Sequence, residues 1–191
     1  NVGSWAARLL YAEGAKIVAI SDVTGAIRNP NGIDIPSLTE YVKQNGGIQG
    51  FTGGEAFPLE DLLFEPCDVV IPAALGGVLT AENAGRVQAR FVLEAANHPT
   101  DPEADAILQQ KGVILLPDIY ANAGGVTVSY FEWTQNLQQF HWNAERVNKE
   151  LRHIMQNAYK DIREVQTKYQ CDLRTAAFAL AIDRVSRATM L

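Results

Sequence analysis

Apolar positions along the chain follow two patterns, and each predicts an element. Val2, Ala6, Leu9 and Leu10 recur at helical spacing, which predicts a first helix from Gly3 to Gly14, with the last glycine as its stop. Lys16 to Asp22 is instead an unbroken run, Ile17-Val18-Ala19-Ile20, rich in β-branched types and closed by a carboxylate, and it reads as a strand. Asn29-Pro30-Asn31-Gly32 signals a turn, so Gly25 to Ile35 reads as a loop or small hairpin. A short helix is expected from Pro36 to Gln44, with proline at its start, and a helical turn over Leu59 to Leu63. Cys67 to Ala74, Ala89 to Asn97 and Val113 to Pro117 read as three further strands. Between them Thr80 is expected to cap a helix carrying Glu82 and Asn83, and Asp101 to open a helix that runs to Gly112.

Strands and short helices alternate, and the strands lack strict polar alternation. That is the pattern of a parallel sheet buried on both faces. Past Val126 the chain turns helical. Val147, Leu151, Ile154, Ala158, Ile162 and Val165 step by three and four into one apolar stripe, with Asn143 as the cap. A last helix from Leu173 to about Met190 sets Phe178, Ala181, Ile182 and Val185 on one side. The expected fold class is α/β: a Rossmann-like, doubly wound, mostly parallel sheet with C-terminal helices. Residues 1–130 are assigned to the dinucleotide-binding core, and 131–191 to a helical segment packed on the same domain.

Several of these strands end in small or polar residues: Asp22, Ala73-Ala74, Asn97, and Asn122 just after the fourth. In a parallel sheet with right-handed crossovers such ends lie side by side, at the rim where open α/β sheets bind ligands. Asn122-Ala123-Gly124-Gly125-Val126-Thr127-Val128-Ser129-Tyr130 is the richest of these segments. Its glycines would let backbone approach a flat ring. Asn122 carries an amide with donors and an acceptor, and Ser129 carries a hydroxyl. The alternative for this stretch alone is a Gly-rich turn capped by Asn122.

Gly3 and Asp22 have the spacing of the last glycine of a dinucleotide fingerprint and its ribose-binding acid, roughly 20 residues on. The chain opens at Asn1 already in helical pattern, without an initiator Met or a leading strand. It is therefore expected to be a portion of a longer protein, whose first strand and two further fingerprint glycines precede Asn1.

Charge and composition narrow the partners. The net charge is −6 and no Lys/Arg cluster occurs, which disfavours nucleic acid and anionic membranes. No apolar run approaches the roughly 18 residues of a membrane span. Cys67 and Cys171 stand far apart without metal-ligand spacing, so reduced thiols in a cytoplasmic protein are expected, and no metal site.

Taken together, these stretches resemble the cofactor-binding domain of hexameric glutamate dehydrogenases, within the Glu/Leu/Phe/Val dehydrogenase superfamily. The resemblance rests on Asn1-Val2-Gly3, Ser21-Asp22-Val23-Thr24-Gly25, Asn29 to Asp34, Ile71-Pro72-Ala73-Ala74, Pro102-Glu103-Ala104-Asp105, Asn122 to Trp133, and Asp172-Leu173-Arg174-Thr175-Ala176-Ala177. It implies oxidative deamination of L-glutamate to 2-oxoglutarate and ammonia, with NAD, or NADP, taking the hydride, in a full-length homo-hexamer. It implies Gly3 at the pyrophosphate, Asp22 on the adenine ribose and Ala73 and Ala74 flanking the adenosine. Asn97 and Asn122 would face the nicotinamide ribose and carboxamide, and Val126 and Ser129 the substrate. A carboxylate at Asp22 would repel a 2′-phosphate, which favours NAD. Ser129, if buried, would reward a substrate carboxylate.

Two positions depart from the glutamate pattern. His98 stands where these enzymes commonly have glycine, and reads as a solvent-facing loop histidine. Ala74-Leu75-Gly76-Gly77-Val78-Leu79 is closer to leucine dehydrogenases. The lysines and aspartate that do the proton chemistry belong to a substrate domain this chain does not contain, so no catalytic residue is assigned and the chain alone is not expected to be active. A leucine- or valine-type dehydrogenase and a non-catalytic nucleotide-sensing module remain alternatives.

Overall fold

A computed structural model describes residues 1–190. The chain opens with α1 (Val2–Ala12) and then β1 (Ala19–Asp22), β2 (Gly25–Arg28), α2 (Ile35–Asn45) and β3 (Glu55–Phe57). These form an antiparallel sheet in the order β1-β2-β3. A second sheet, parallel and in the order β4-β5-β6, contains β4 (Val69–Val70), β5 (Phe91–Leu93) and β6 (Ile114–Leu116). The helix α3 (Pro102–Gln110) links the last two strands, and four helices follow: α4 (Asp118–Ala121), α5 (Ala123–Gln138), α6 (Ala144–Tyr169) and α7 (Leu173–Thr189).

The α/β class holds, with a parallel sheet and C-terminal helices. The expectation of four strands side by side in one parallel sheet does not. β1 pairs with β2 as a hairpin, because only Val23 and Thr24 separate them and so short a connection joins antiparallel neighbours. Asp22 braces this turn: its Oδ1 accepts from the Thr24 amide at 2.7 Å and the Thr24 hydroxyl at 2.5 Å. β4 is shorter than its apolar run, since Pro72 has no N–H for a longer ladder. The helix expected after Thr80 is a turn ending in a short 3-10 segment, Ala84–Arg86. Asn83 closes it, with Oδ1 accepting from the Thr80 amide at 2.8 Å and Nδ2 donating to the Val78 carbonyl at 2.9 Å.

Each layer has its own core. Phe64, Val70, Leu79, Val87, Val92, Leu108 and Leu115 close the parallel sheet against α3. Ala7, Ile27, Ile33, Ile35, Leu38 and Ile48 join α1 and α2 to the antiparallel sheet. Ile162, Leu173, Ala176 and Ala177 hold α6 to α7. The stripe on α6 faces inward at Ile162, as its spacing predicts. On α7 the buried residues are Leu173, Ala176 and Ala177, while Phe178, Ile182 and Val185, which share one side of the helix, stay exposed. Small residues permit the close helix contact, and the larger ones fall on the opposite side. No helix among the described residues is long and apolar enough to cross a membrane.

Helix ends follow their capping residues. Asn143 accepts from the Arg146 amide at 2.9 Å, and Asp34 from the Ser37 amide at 2.7 Å. Gly46 ends α2 at φ 80°, a left-handed conformation that suits glycine. Asp172 caps α7, accepting from the Thr175 amide at 2.8 Å and its hydroxyl at 2.6 Å. Burial pushes the Asp172 carboxyl up, but these bonds outweigh it and hold the group below its ordinary value. A depressed folded-state value means that this stabilisation is present above the unfolded-state pKa and is lost as pH falls through the folded one. Asp172→Ala is expected to cost about 1 kcal/mol at neutral pH. The cost should shrink in urea titrations run at progressively lower pH, below about 4.

Candidate functional site

The ends of the parallel strands meet through backbone contacts. The Pro72 carbonyl, just past β4, accepts from the amides of Ala95 and Ala96, just past β5, at 3.0 and 2.8 Å. The Glu94 amide donates to the Leu116 carbonyl of β6 at 3.1 Å. Further along, the Gly77 amide donates to the His98 carbonyl at 2.8 Å, and those of Val78 and Leu79 to the Pro99 carbonyl at 2.9 Å. The loop after β4 therefore lies along the loop after β5. A Cβ at Gly76 would stand 2.9 Å from the Asn97 carbonyl oxygen, so this approach requires glycine.

Six of the eight residues expected at the site occupy this rim or α5 beside it, and a seventh, Gly3, reaches it from α1. Ala73 follows Pro72, and a Cβ built on Gly3 would stand 3.4 Å from the Ala73 Cβ, so the first turn of α1 reaches the end of β4. Ala74 is exposed beside it. Asn97 and Asn122 touch directly, Asn122 Nδ2 donating to Asn97 Oδ1 at 2.6 Å. Val126 and Ser129 lie one turn apart on α5 and share a face. Both are exposed, and the Ser129 hydroxyl donates to the Gly125 carbonyl at 3.3 Å. The buried hydroxyl expected at Ser129 is thus an exposed one, bonded within its own helix. The small-residue segment is also not a loop: Gly124 and Gly125 are the second and third residues of α5, which starts immediately after α4.

Asp22 stands apart. It ends β1 in the antiparallel sheet, and no hydrogen bond among the described residues ties it to the Asn97–Asn122 rim. Besides its two bonds to Thr24, its Oδ2 accepts from the Ile48 amide at 3.0 Å. A carboxylate has about four acceptor positions. Three donors already occupy Asp22, so a grip on two ribose hydroxyls requires the Thr24 hydroxyl to turn away.

A buried ionic cluster beneath the rim escaped sequence reasoning. Arg174, in the first turn of α7, contacts Glu94 and Asp105 at 2.6 Å each, and Asp118 at 3.7 Å. The Glu94 side chain is fully buried and that of Asp105 nearly so. Burial lowers the tendency of the guanidinium to hold its proton, but the hydrogen bonds it donates to the two carboxylates outweigh this and raise its pKa. The signal was present: an acid within the apolar run Phe91 to Ala96 needs a cation. The partner lies 80 positions away, beyond local pattern.

His98 is exposed, as expected, but its backbone is informative. Its φ is 47°, a left-handed conformation rare outside glycine. Such a conformation favours glycine, and here histidine adopts it. Its amide donates to Asp118 Oδ2 at 2.7 Å, which holds the turn.

The geometry suits a nicotinamide dinucleotide. The first turn of α1 carries no acidic residue, leaving helix amides for a pyrophosphate. Two primary amides, on Asn97 and Asn122, stand at the opposite end of the rim.

Known proteins match along the whole chain. The family model described as Glutamate/Leucine/Phenylalanine/Valine dehydrogenase matches residues 1–191. A glutamate dehydrogenase from Thermotoga maritima is 50% identical over 190 residues, covering 99% of this chain and 46% of that protein. The chain therefore spans about half the length of the curated relative it matches. Among solved structures, hetero-hexameric glutamate dehydrogenase from Thermus thermophilus, in a leucine-bound form, superposes with a TM-score of 0.92 at 29% identity, over 98% of this chain and 44% of that one. The enzyme from Peptoniphilus asaccharolyticus superposes at 0.82 with 34% identity, over 99% and 44%. With its whole length matched, this chain belongs to the Glutamate/Leucine/Phenylalanine/Valine dehydrogenase family.

Proposed function

We propose that this chain is the cofactor-binding portion of a glutamate dehydrogenase that converts L-glutamate, NAD and water to 2-oxoglutarate, ammonia and NADH, with NADP as a possible second cofactor. Residues 1–130 would form the dinucleotide-binding core and 131–191 a helical segment of the same domain. The whole protein would be a cytoplasmic homo-hexamer. The observation that carries the reading is the meeting of Asn97 and Asn122 on the rim that also holds Ala73 and Gly3. When bound, the nicotinamide supplies the hydride chemistry.

The chain's own residues would bind and orient. Amides of the first turn of α1 at Gly3 would receive the pyrophosphate, with Ala73 and Ala74 along the adenosine. Asp22 would accept from the adenine ribose once the Thr24 hydroxyl turns aside, and its charge would disfavour a 2′-phosphate. The Asn97 and Asn122 amides would hold the nicotinamide ribose and carboxamide. Val126 and Ser129 would face the substrate, with the hydroxyl free to leave the Gly125 carbonyl for a glutamate side-chain carboxylate.

A second reading, a leucine- or valine-type dehydrogenase, is favoured by Ala74 to Leu79, and the Thermus relative is described in a leucine-bound form. Steady-state rates of the whole protein with glutamate and with leucine separate the two. Glutamate turnover is expected to dominate, and faster leucine turnover would reverse the assignment. Asp22→Ser is expected to move the NAD/NADP ratio of kcat/KM toward NADP, about 10-fold for each 1.4 kcal/mol of repulsion removed. An unchanged ratio would remove Asp22 from cofactor selection.

A further inference from the structure

We propose that Arg174, on α7, is a positioning residue that fixes the Asn97–Asn122 pair through Glu94 and Asp118. The inference rests on the reading of those two asparagines as nicotinamide-facing groups.

The connection is a continuous series of short contacts. Arg174 Nη2 donates to Glu94 Oε1 at 2.6 Å, which orients that carboxylate. Its other oxygen, Oε2, accepts from the Asp118 amide at 2.8 Å, at the start of α4. The Asp118 carboxylate lies 3.7 Å from Arg174 Nη1 through Oδ1, and its Oδ2 accepts from the His98 amide at 2.7 Å. His98 follows Asn97 directly. The Asn122 amide donates to the Asp118 carbonyl at 3.1 Å, one helical turn on. The two asparagines thus ride on segments that are tied together at two points beneath them, and both ties end on carboxylates that Arg174 meets, Glu94 at 2.6 Å and Asp118 at 3.7 Å.

The third contact anchors the guanidinium. Nε donates to Asp105 Oδ2 at 2.6 Å, and Gln109 steadies Asp105 through a bond of 3.3 Å to Oδ1. A planar fork meets acids on three separate elements, β5's end, α3 and α4, which a lysine ammonium cannot span in the same way. The carboxylates outnumber the one cation among these contacts. With the guanidinium removed or shifted, Glu94, Asp105 and Asp118 would repel one another and move the segments they hold. Reacting groups tolerate displacements of only about 0.5 Å, and a misplacement near 1 Å costs roughly 100-fold in rate.

The test uses the whole protein with Arg174→Lys and, separately, Asp118→Asn. Asp118→Asn keeps the size of the side chain but weakens its hold on the His98 amide. Each variant should fold. Each should lose about 10-fold in kcat, while the dissociation constant for ADP, which carries the adenosine and the two phosphates but neither the nicotinamide nor its ribose, changes less than about 2-fold. A purely structural role would lower the melting temperature and leave kcat of the folded protein unchanged, which would overturn the proposal. If Arg174→Lys does not fold, Asp118→Asn decides in the same terms. Asn122→Ala runs alongside. If it impairs turnover and the other two do not, only the positioning role falls. If it is neutral, the nicotinamide reading falls and takes the proposal with it.

Discussion

Arg174→Met is expected to destabilise the folded chain by about 3 kcal/mol, the lower end of the cost of breaking a buried ion pair. The lower end applies because the Arg174 side chain keeps 20% of its surface in water. Methionine fills similar volume but leaves Glu94, fully buried, and Asp105, 9% exposed, without a cation. The loss comes from stranded charge more than from a missing attraction. A triple variant, Arg174→Met with Glu94→Gln and Asp105→Asn, removes the charges together and should recover most of the stability. Urea midpoints with unchanged slopes check both. For a chain of this size the single variant should melt roughly 6–12 °C lower. A loss below about 1 kcal/mol would mean that water or another cation compensates the acids.

Leu108→Ala is expected to cost about 2–5 kcal/mol by the same measurement. Leu108 is completely buried on α3, between Leu79, Val92 and Leu115 of the parallel-sheet core. Its neighbours come from strands and from a backbone bridge at Leu79–Thr100, which limits their collapse into the space. The cost should therefore fall toward the upper part of the range. Val23→Ala is the control: Val23 is 99% exposed and should change stability by less than about 0.5 kcal/mol.

The sequence made the parallel half of the fold legible and obscured the other half. Runs such as Phe91-Val92-Leu93 and Ile114-Leu115-Leu116 are apolar throughout because both faces are covered, and the structure pairs them. Ile17 to Asp22 looks the same, yet β1 turns back into a hairpin. The deciding feature is the Asp22–Thr24 turn, which lacks the Asn-Gly or Asp-Gly signal that marks such hairpins. Glycines misled in the other direction. Gly124-Gly125 has poor helix propensity, but α5 includes them, held by tertiary packing of Phe131, buried further along the helix. At the site, residue types were legible, and the contact between Asn97 and Asn122 follows from strand order. The Arg174 cluster was not, because its members are separated by as much as 80 positions and join only through tertiary packing.

If Asn97 and Asn122 hold the cofactor as proposed, the bond between them also bears on the thermodynamics of occupancy. The Asn97 oxygen and Asn122 nitrogen already satisfy each other at 2.6 Å. A group arriving between them would replace one hydrogen bond with another, so the gain would not exceed the net worth of a single hydrogen bond, about 0.5–1.5 kcal/mol. Little of the binding enthalpy can then originate in the amides. The larger contribution would come from laying a flat ring against the small residues of the rim, with the negative heat capacity change of apolar burial. On that reading the mutual bond would keep both side chains near their working orientation at little cost in conformational entropy.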